Sequence, residues 1–477
     1  MARFAVVLSL LIACCLCCTP FCQAQGDPIS EQGLKPFGSF HGGDIDVVNV
    51  MNGKLDLHVP VVSYPQKGSK LQMGFTLRYD NPIPLVTQTC SPPGENCTYS
   101  VLFVPQGVQV LPDFKMTLSG YVANNKDVSS LVLVDGSSHE LGTTSGTVSE
   151  TLDGTGWRYD SGADVATDRQ GNQFSGLLTQ SEISMEDSSG NRITGTSSGW
   201  TDTLGRSIPV PPGSATSNYS GCTGSQPTSS ANNWVVPGPY GAVTFKLCYA
   251  TFPVSFSVPD QSDQNYAGGA SWLQSLVLPN NQAWTFEYDS EGNLSTVTLP
   301  TGGTISYTWS WGQMCASSSY PQRYYRAVAS RTVNANDGTG ARTWTYNLQG
   351  GGILSGYPGS LTSVVTDPAG NYSSYYFGAL GQCEFYEIQR TDSDASGNTL
   401  QNTLTSYSTS TDENAPQPGN LGVNNVLVSE VDTYSYSGTS YQMKGVKKVY
   451  DPTAFTYAGV WGGRNGRLWQ LNFRGRI

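Results

Sequence analysis

Charge is scarce in this chain. Asp, Glu, Lys and Arg together make 13% of its 477 residues, and there are three histidines. The net charge of −11 disfavours nucleic acid and anionic membrane surfaces as partners, since both reward clustered positive charge. Long apolar runs are missing as well. Phe4–Ala13 is a ten-residue run, and nothing approaches the ~20 residues of a spanning helix, so no transmembrane span is expected. Beyond residue 24 there is no Cys-x-x-Cys pair, and an EF-type calcium loop has no match. No metal or cofactor is expected.

The first 24 residues read as a leader. Met1-Ala2-Arg3 is a small positive region, the apolar run follows, and Cys22-Gln23-Ala24 precedes a cut ahead of Gln25. The alternative is a lipobox, Leu11-Ile12-Ala13-Cys14, which would lipidate Cys14. Either reading sends the chain out of the cytoplasm, to a secreted or cell-surface location. The remaining 453 residues carry 24 Lys and Arg against 36 Asp and Glu. Six cysteines remain there: Cys90, Cys97, Cys222, Cys248, Cys315 and Cys383. An even number in an exported chain suggests disulfides, whose connectivity sequence cannot fix. The preferred set, without nesting, is Cys90–Cys97, Cys222–Cys248 and Cys315–Cys383.

What the chain has in plenty is Gly (54 residues), Tyr (26), Ser, Thr and Asn, which suit short strands joined by tight turns. Leu55, Leu57, Val59 and Val61 alternate with Lys54, Asp56 and His58 after the hairpin signal Asn52-Gly53. Leu71, Met73, Phe75, Leu77 and Tyr79 alternate likewise, which predicts strands with one face inward. Asp-x-x-Gly-Asn/Arg punctuation recurs at Asp168, Asp187, Asp202, Asp289, Asp367 and Asp394. The densest copy is Trp284–Trp309. There Trp284, Phe286 and Tyr288, then Ile305, Tyr307 and Trp309, alternate with polar residues around two turns. The fold class is therefore all-β, built of antiparallel hairpins in a coiled sheet.

Tyr288-Asp289-x-x-Gly292-Asn293-Leu294, followed by Pro300-x-Gly302-Gly303 and Tyr307, resembles the YD repeat of the RHS family. The segment from Asn52 to Pro65, with Leu77-Arg78-Tyr79-Asp80-Asn81 behind it, is similar to the N-terminal part of exported RHS proteins. The resemblance implies a partial β shell or surface scaffold without catalysis of its own. Its partners would be cell-surface glycans or a C-terminal effector enclosed in a full-length form. The alternatives are a carbohydrate-binding adhesin and, third, a secreted hydrolase or a remnant of a toxin-delivery protein. The expected organisation is a signal peptide (1–24), an N-terminal β region (25–270), a YD-repeat region (271–450) and an irregular basic tail (451–477). That tail suggests a truncated member, with a natural C-terminal segment as the alternative.

Candidate chemistry competes with plainer readings. The Asp-x-x-Gly clusters could offer oxygens to calcium, but turn-forming Asp with a positive-φ Gly explains them better. Gly195-Thr196-Ser197-Ser198-Gly199 fits a nucleophile-elbow pattern without its strand-to-helix flanks. Among His41, His58 and His139, His58 reads as a surface residue beside Asp56, and no Ser context supports a base. Glu287 and Glu384 are the carboxylates to test for glycoside hydrolysis, against the reading of solvated strand residues.

Overall fold

The computed structural model describes residues 33–448 apart from 35, 69–70, 82–83, 91–96, 104–105, 114–115, 124–125, 152, 179–181, 197–198, 258–264, 314–323, 350–359, 382–383 and 418–419, together with the strands Phe455–Thr456 and Asn465–Gly466. The leader and Cys14, Cys315 and Cys383 lie outside the described residues. Every regular element among them is a strand, and every pairing is antiparallel. Three sheets carry the fold. A leading sheet of five strands contains Asp46–Asn49, Leu55–Pro65 and Gln72–Asp80 and closes with Gln109–Pro112. A middle sheet of eleven strands runs from Thr117–Ala123 to Ser207–Pro209. A repeat sheet of fifteen strands runs from Ser214–Thr216 to Ser440–Lys447. In the last two, each strand pairs with the next in sequence, and neither closes on itself.

This meander follows from the turns. A two-to-four-residue turn can only join strands that lie side by side and antiparallel, so each hairpin signal adds one neighbour. Residues 207–240 hold the changeover from the middle sheet to the repeat sheet. The strands Ser214–Thr216 and Thr228–Gly238 already belong to the latter. Residue 270 falls inside the strand Asn265–Val277.

The alternation in the leading sheet predicts one buried face, but the structure buries both. In Gln72–Asp80, Met73, Gly74, Phe75, Thr76 and Leu77 are consecutive buried residues. The reason is position, because one core cluster joins Leu57, Phe75 and Tyr79 to Leu131, Ile193 and Trp200 of the middle sheet and to Trp234, Phe286 and Val297 of the repeat sheet. Phe75 meets the edge of Trp234 at 4.8 Å between centroids. Among the polar residues left inside, Thr76 bonds to the Asp113 carboxylate.

Backbone groups also join the sheets. The Asn52-Gly53 turn is a buried knob, not a surface loop. Gly53 takes φ +73°, its carbonyl accepts the Val328 N–H at 2.8 Å, and a Cβ there would lie 2.5 Å from that of Ala327. Asn81 Nδ2 donates to the Arg326 carbonyl at 3.0 Å. Tyr79 is fully enclosed and its hydroxyl accepts the Leu294 N–H at 2.9 Å. Removing that hydroxyl leaves a buried N–H without its acceptor. Tyr79→Phe is expected to lower the free energy of urea unfolding by about 1–3 kcal/mol, with the β-sheet circular dichroism of the folded protein unchanged.

Candidate functional site

The densest repeat copy folds as Ala283–Tyr288, Leu294–Thr298 and Thr304–Gln313, with two turns between them. In the first turn Asp289 Oδ1 accepts the N–H groups of Glu291 (2.9 Å) and Asn293 (2.8 Å), and Asn293 Nδ2 donates to Oδ2 at 3.0 Å. Gly292, at φ +88°, donates its N–H to the Asp289 carbonyl at 3.1 Å. In the second turn Gly302 N–H donates to the Leu299 carbonyl at 2.9 Å, and Leu299 N–H to that of Gly303 at 2.8 Å.

The first turn is a module. Asp168, Asp187, Asp367 and Asp394 accept from the backbone and amide of Asn172, Asn191, Asn371 and Asn398 in the same way. At Asp202 the fifth residue is Arg206, whose Nε takes the amide's place on Oδ2 at 2.6 Å. Both carboxylate oxygens thus accept hydrogen bonds from their own turn, so the clusters hold hairpins. No group of three or more His, Cys, Asp or Glu among the described residues is placed to hold a metal ion.

Tyr288 bonds at both ends of its hydroxyl. It donates to the Leu273 carbonyl at 3.0 Å and accepts the Val108 N–H at 2.9 Å. Tyr307 is buried and donates to Asp46 Oδ2 of the leading sheet at 2.7 Å. Arg331 grips the same carboxylate with Nε at 2.5 Å and Nη2 at 2.7 Å, and its guanidinium lies 5.5 Å from the Trp344 ring centre. Burial, and then the Asp46 charge, push the Tyr307 hydroxyl well above the ordinary phenol range. Tyr307 stands directly opposite Arg331 in the sheet register, so both reach one point from one face. A second ion pair, Arg326 Nη2 to Glu291 Oε2 at 2.5 Å, ties the turn to the strand Tyr324–Asn334.

Residues 269–322 match the family described as RHS Repeat. That stretch is an RHS repeat. No curated protein matches it. The RHS unit includes all the motif residues, Tyr288, Asp289, Gly292, Asn293, Gly302, Gly303 and Tyr307. Each of them shapes a turn, sets the sheet register or reaches another element of the fold.

The acid–base candidates are distributed around this unit. Glu287 is occupied by a strap. Its Oε1 accepts the Ser225 N–H at 2.8 Å and its Oε2 the Ser225 hydroxyl. The strap is pinned by a Cys222–Cys248 disulfide, with Cα atoms 5.8 Å apart, and by Thr223 N–H on Ser275 Oγ. Cys90 and Cys97 face each other in the register of a separate two-stranded sheet. The side chain of Glu384 and residues Ser197 and Ser198 lie outside the described residues. The strand Gly199–Thr201 pairs with the strand that ends at Thr196, so the G-x-S-x-G pattern spans a hairpin where an elbow needs a helix.

Sequence reading missed one constellation. His139 is buried, with Nε2 2.9 Å from Ser137 Oγ and Nδ1 2.5 Å from Asp153 Oδ2. This is the order of a Ser–His–Asp triad. Yet Ser137 and His139 are each 2% exposed, and Ser137 Oγ also lies 2.6 Å from Asp135 Oδ1. A hydroxyl has one proton, and that of Ser137 goes to the Asp135 carboxylate. The hydroxyl then points at Asp135, away from any base. Asp135 Oδ2 accepts the Leu34 N–H at 3.1 Å, which makes the chain a structural tie. His58 pairs with Asp56 at 3.3 Å, and that carboxylate raises its pKa. His41 contacts the Tyr346 hydroxyl at 2.9 Å, and burial lowers its pKa.

Among the described residues one crevice is lined by Lys54, Asp56, Asp80 and Asn81, and another by Phe37, Phe377, Phe385 and Glu387. Each has a free volume of about 10 Å³, room for one water. Burial, and then Asp56 opposite it in the register, push Asp80 well above the carboxylate range.

Two tests follow from this geometry. Asp46→Ala and Arg331→Ala should each lower stability by about 3–5 kcal/mol in urea unfolding, because each strands a buried charge. The double variant should lose much less than the sum of the two. The turn carboxylates set an acid limb. Asp367 and Asp394 lie below the ordinary range chiefly because Asn371 and Asn398 side chains donate to them. At Asp202 burial pushes upward, but donors from Arg206 and Gln66 outweigh it and leave its pKa lowered. Carboxyls depressed in the folded state stabilise it above their unfolded pKa, about 4, and lose that contribution as pH falls through the folded value. Thermal midpoints should therefore fall below about pH 4, and Asp202→Asn should flatten that limb.

Proposed function

We propose that this protein is an exported structural shell or surface scaffold of the RHS-repeat type, with no catalytic site of its own. The observation that carries the reading is the Asp46–Tyr307–Arg331 clamp. The motif tyrosine of the repeat is used to fasten one sheet to another, which is the work of a wall. The RHS match supports a structural role at the surface. The leader-like first 24 residues and the Cys222–Cys248 bridge support export to an oxidising compartment, with lipidation at Cys14 as the variant form. In a full-length form the partner would be an enclosed C-terminal effector.

A carbohydrate-binding adhesin is the second reading, favoured by the exposed rings of Tyr240, Tyr376 and Tyr441. The two part on a glycan array and a substrate panel. The scaffold reading expects no saturable glycan binding and no turnover of polysaccharides or esters. Turnover abolished by Glu287→Gln or Ser137→Ala would reverse it, and glycan binding lost on replacing those tyrosines would favour the adhesin.

A further inference from the structure

A sheet ends on a strand whose outer N–H and C=O groups have no neighbour, and such an edge is a template for another strand. In the repeat sheet that place falls to Ser440–Lys447, the last of fifteen. All eight of its residues are exposed. The next strand in sequence, Phe455–Thr456, pairs with Asn465–Gly466 instead of this edge. The register sets Tyr434 opposite Met443 and Tyr436 opposite Tyr441, all on one face. The Tyr441 ring lies 5.4 Å from that of Tyr434 and 5.7 Å from that of Tyr436. Tyr441 and Met443 are 58% and 51% exposed, a ledge on which alternate side chains of an added strand would lie.

Charge selects the strand. Three of the chain's ten lysines, Lys444, Lys447 and Lys448, fall within five residues here, and no Asp or Glu lies between Asp432 and Asp451. Glu430 faces Lys447 and Asp432 faces Gly445 on the face of the ledge, whereas Lys444 stands on the other face, opposite Thr433, with no carboxylate across from it. Lys448 N–H donates to the Ser429 carbonyl at 2.7 Å, so ordered pairing continues past the strand to a second lysine of that face. Two copies of this edge side by side would bring these lysines together, which opposes self-pairing. An acidic strand gains where a second copy loses. We propose that Ser440–Lys447 is a docking edge for an extended acidic segment of a partner protein, which adds as a further strand. The inference stands apart from the scaffold reading, since such an edge recruits a partner whatever the wall encloses.

The test uses the full chain and two synthetic peptides of about ten residues, one alternating Glu with Thr and Val, the other with Lys in place of Glu. The Glu peptide should bind at least about tenfold more tightly in fluorescence anisotropy and slow amide exchange across 440–447. Lys444→Glu with Lys447→Glu should cost it about tenfold or more, and raising salt to about 0.5 M should weaken binding to the unaltered protein without recourse to any variant. No binding, binding that leaves those amides unprotected, binding indifferent to salt, or a dimer of the protein that protects the same amides would each overturn the proposal.

Discussion

One buried carboxylate holds the architecture together. Asp46 is fully enclosed, and a charge taken out of water without partners would drive the fold apart. It is tolerated because three donors converge on it, the Tyr307 hydroxyl and two nitrogens of Arg331. Those donors sit directly opposite each other on neighbouring strands of the repeat sheet. A one-residue slip of either strand would turn its donor to the other face. The clamp therefore fixes the register of the RHS unit and the seat of the leading sheet at once. The Gly53–Val328, Asn81–Arg326 and Tyr79–Leu294 bonds extend the same seam along the sheet.

What the sequence made legible is local. Alternating apolar residues and Asp-x-x-Gly turns needed nothing beyond their own five residues, and six such turns form where the pattern stands. The hidden part is what depends on distant partners. Asp56, Thr76 and Lys54 alternate with apolar residues and so read as one wet face. Only the presence of a second sheet over them makes that face interior. His139 was similarly opaque. Ser137 stands just ahead of the strand Ser138–Ser145, a weak signal by itself, and Asp153 arrives from the next hairpin. The Asp46 partnership spans 285 residues in sequence, and no local rule reports it.

The same division separates fold from function. A turn whose carboxylate accepts the N–H groups of its own backbone is occupied in shaping a hairpin, and a serine hydroxyl that donates to a second carboxylate points away from its histidine. Both resemble chemistry in sequence or outline, and the hydrogen bonds they make are those of structure. The exchange of Asn for Arg206 in the Asp202 turn makes the point from the other side. The position needs a donor to Oδ2, and either side chain supplies one. Such a requirement tolerates variation in a way that catalytic geometry does not.

That tolerance explains how an irregular array still makes one wall. Each hairpin is specified by its own turn, so strands can range from 3 residues, as in Ser214–Thr216, to 19, as in Thr399–Gln417, without disturbing the order of their neighbours. Sheet growth by addition has no internal stop, because every new strand presents an edge as adhesive as the one it covered. An open wall must therefore manage its last strand by other means than closure. Among the described residues the last strand of the repeat sheet carries lysines, which discourage a like edge and leave the backbone of Ser440–Lys447 to a strand of opposite charge. The chemistry that prevents indefinite growth is also what gives the edge a preference.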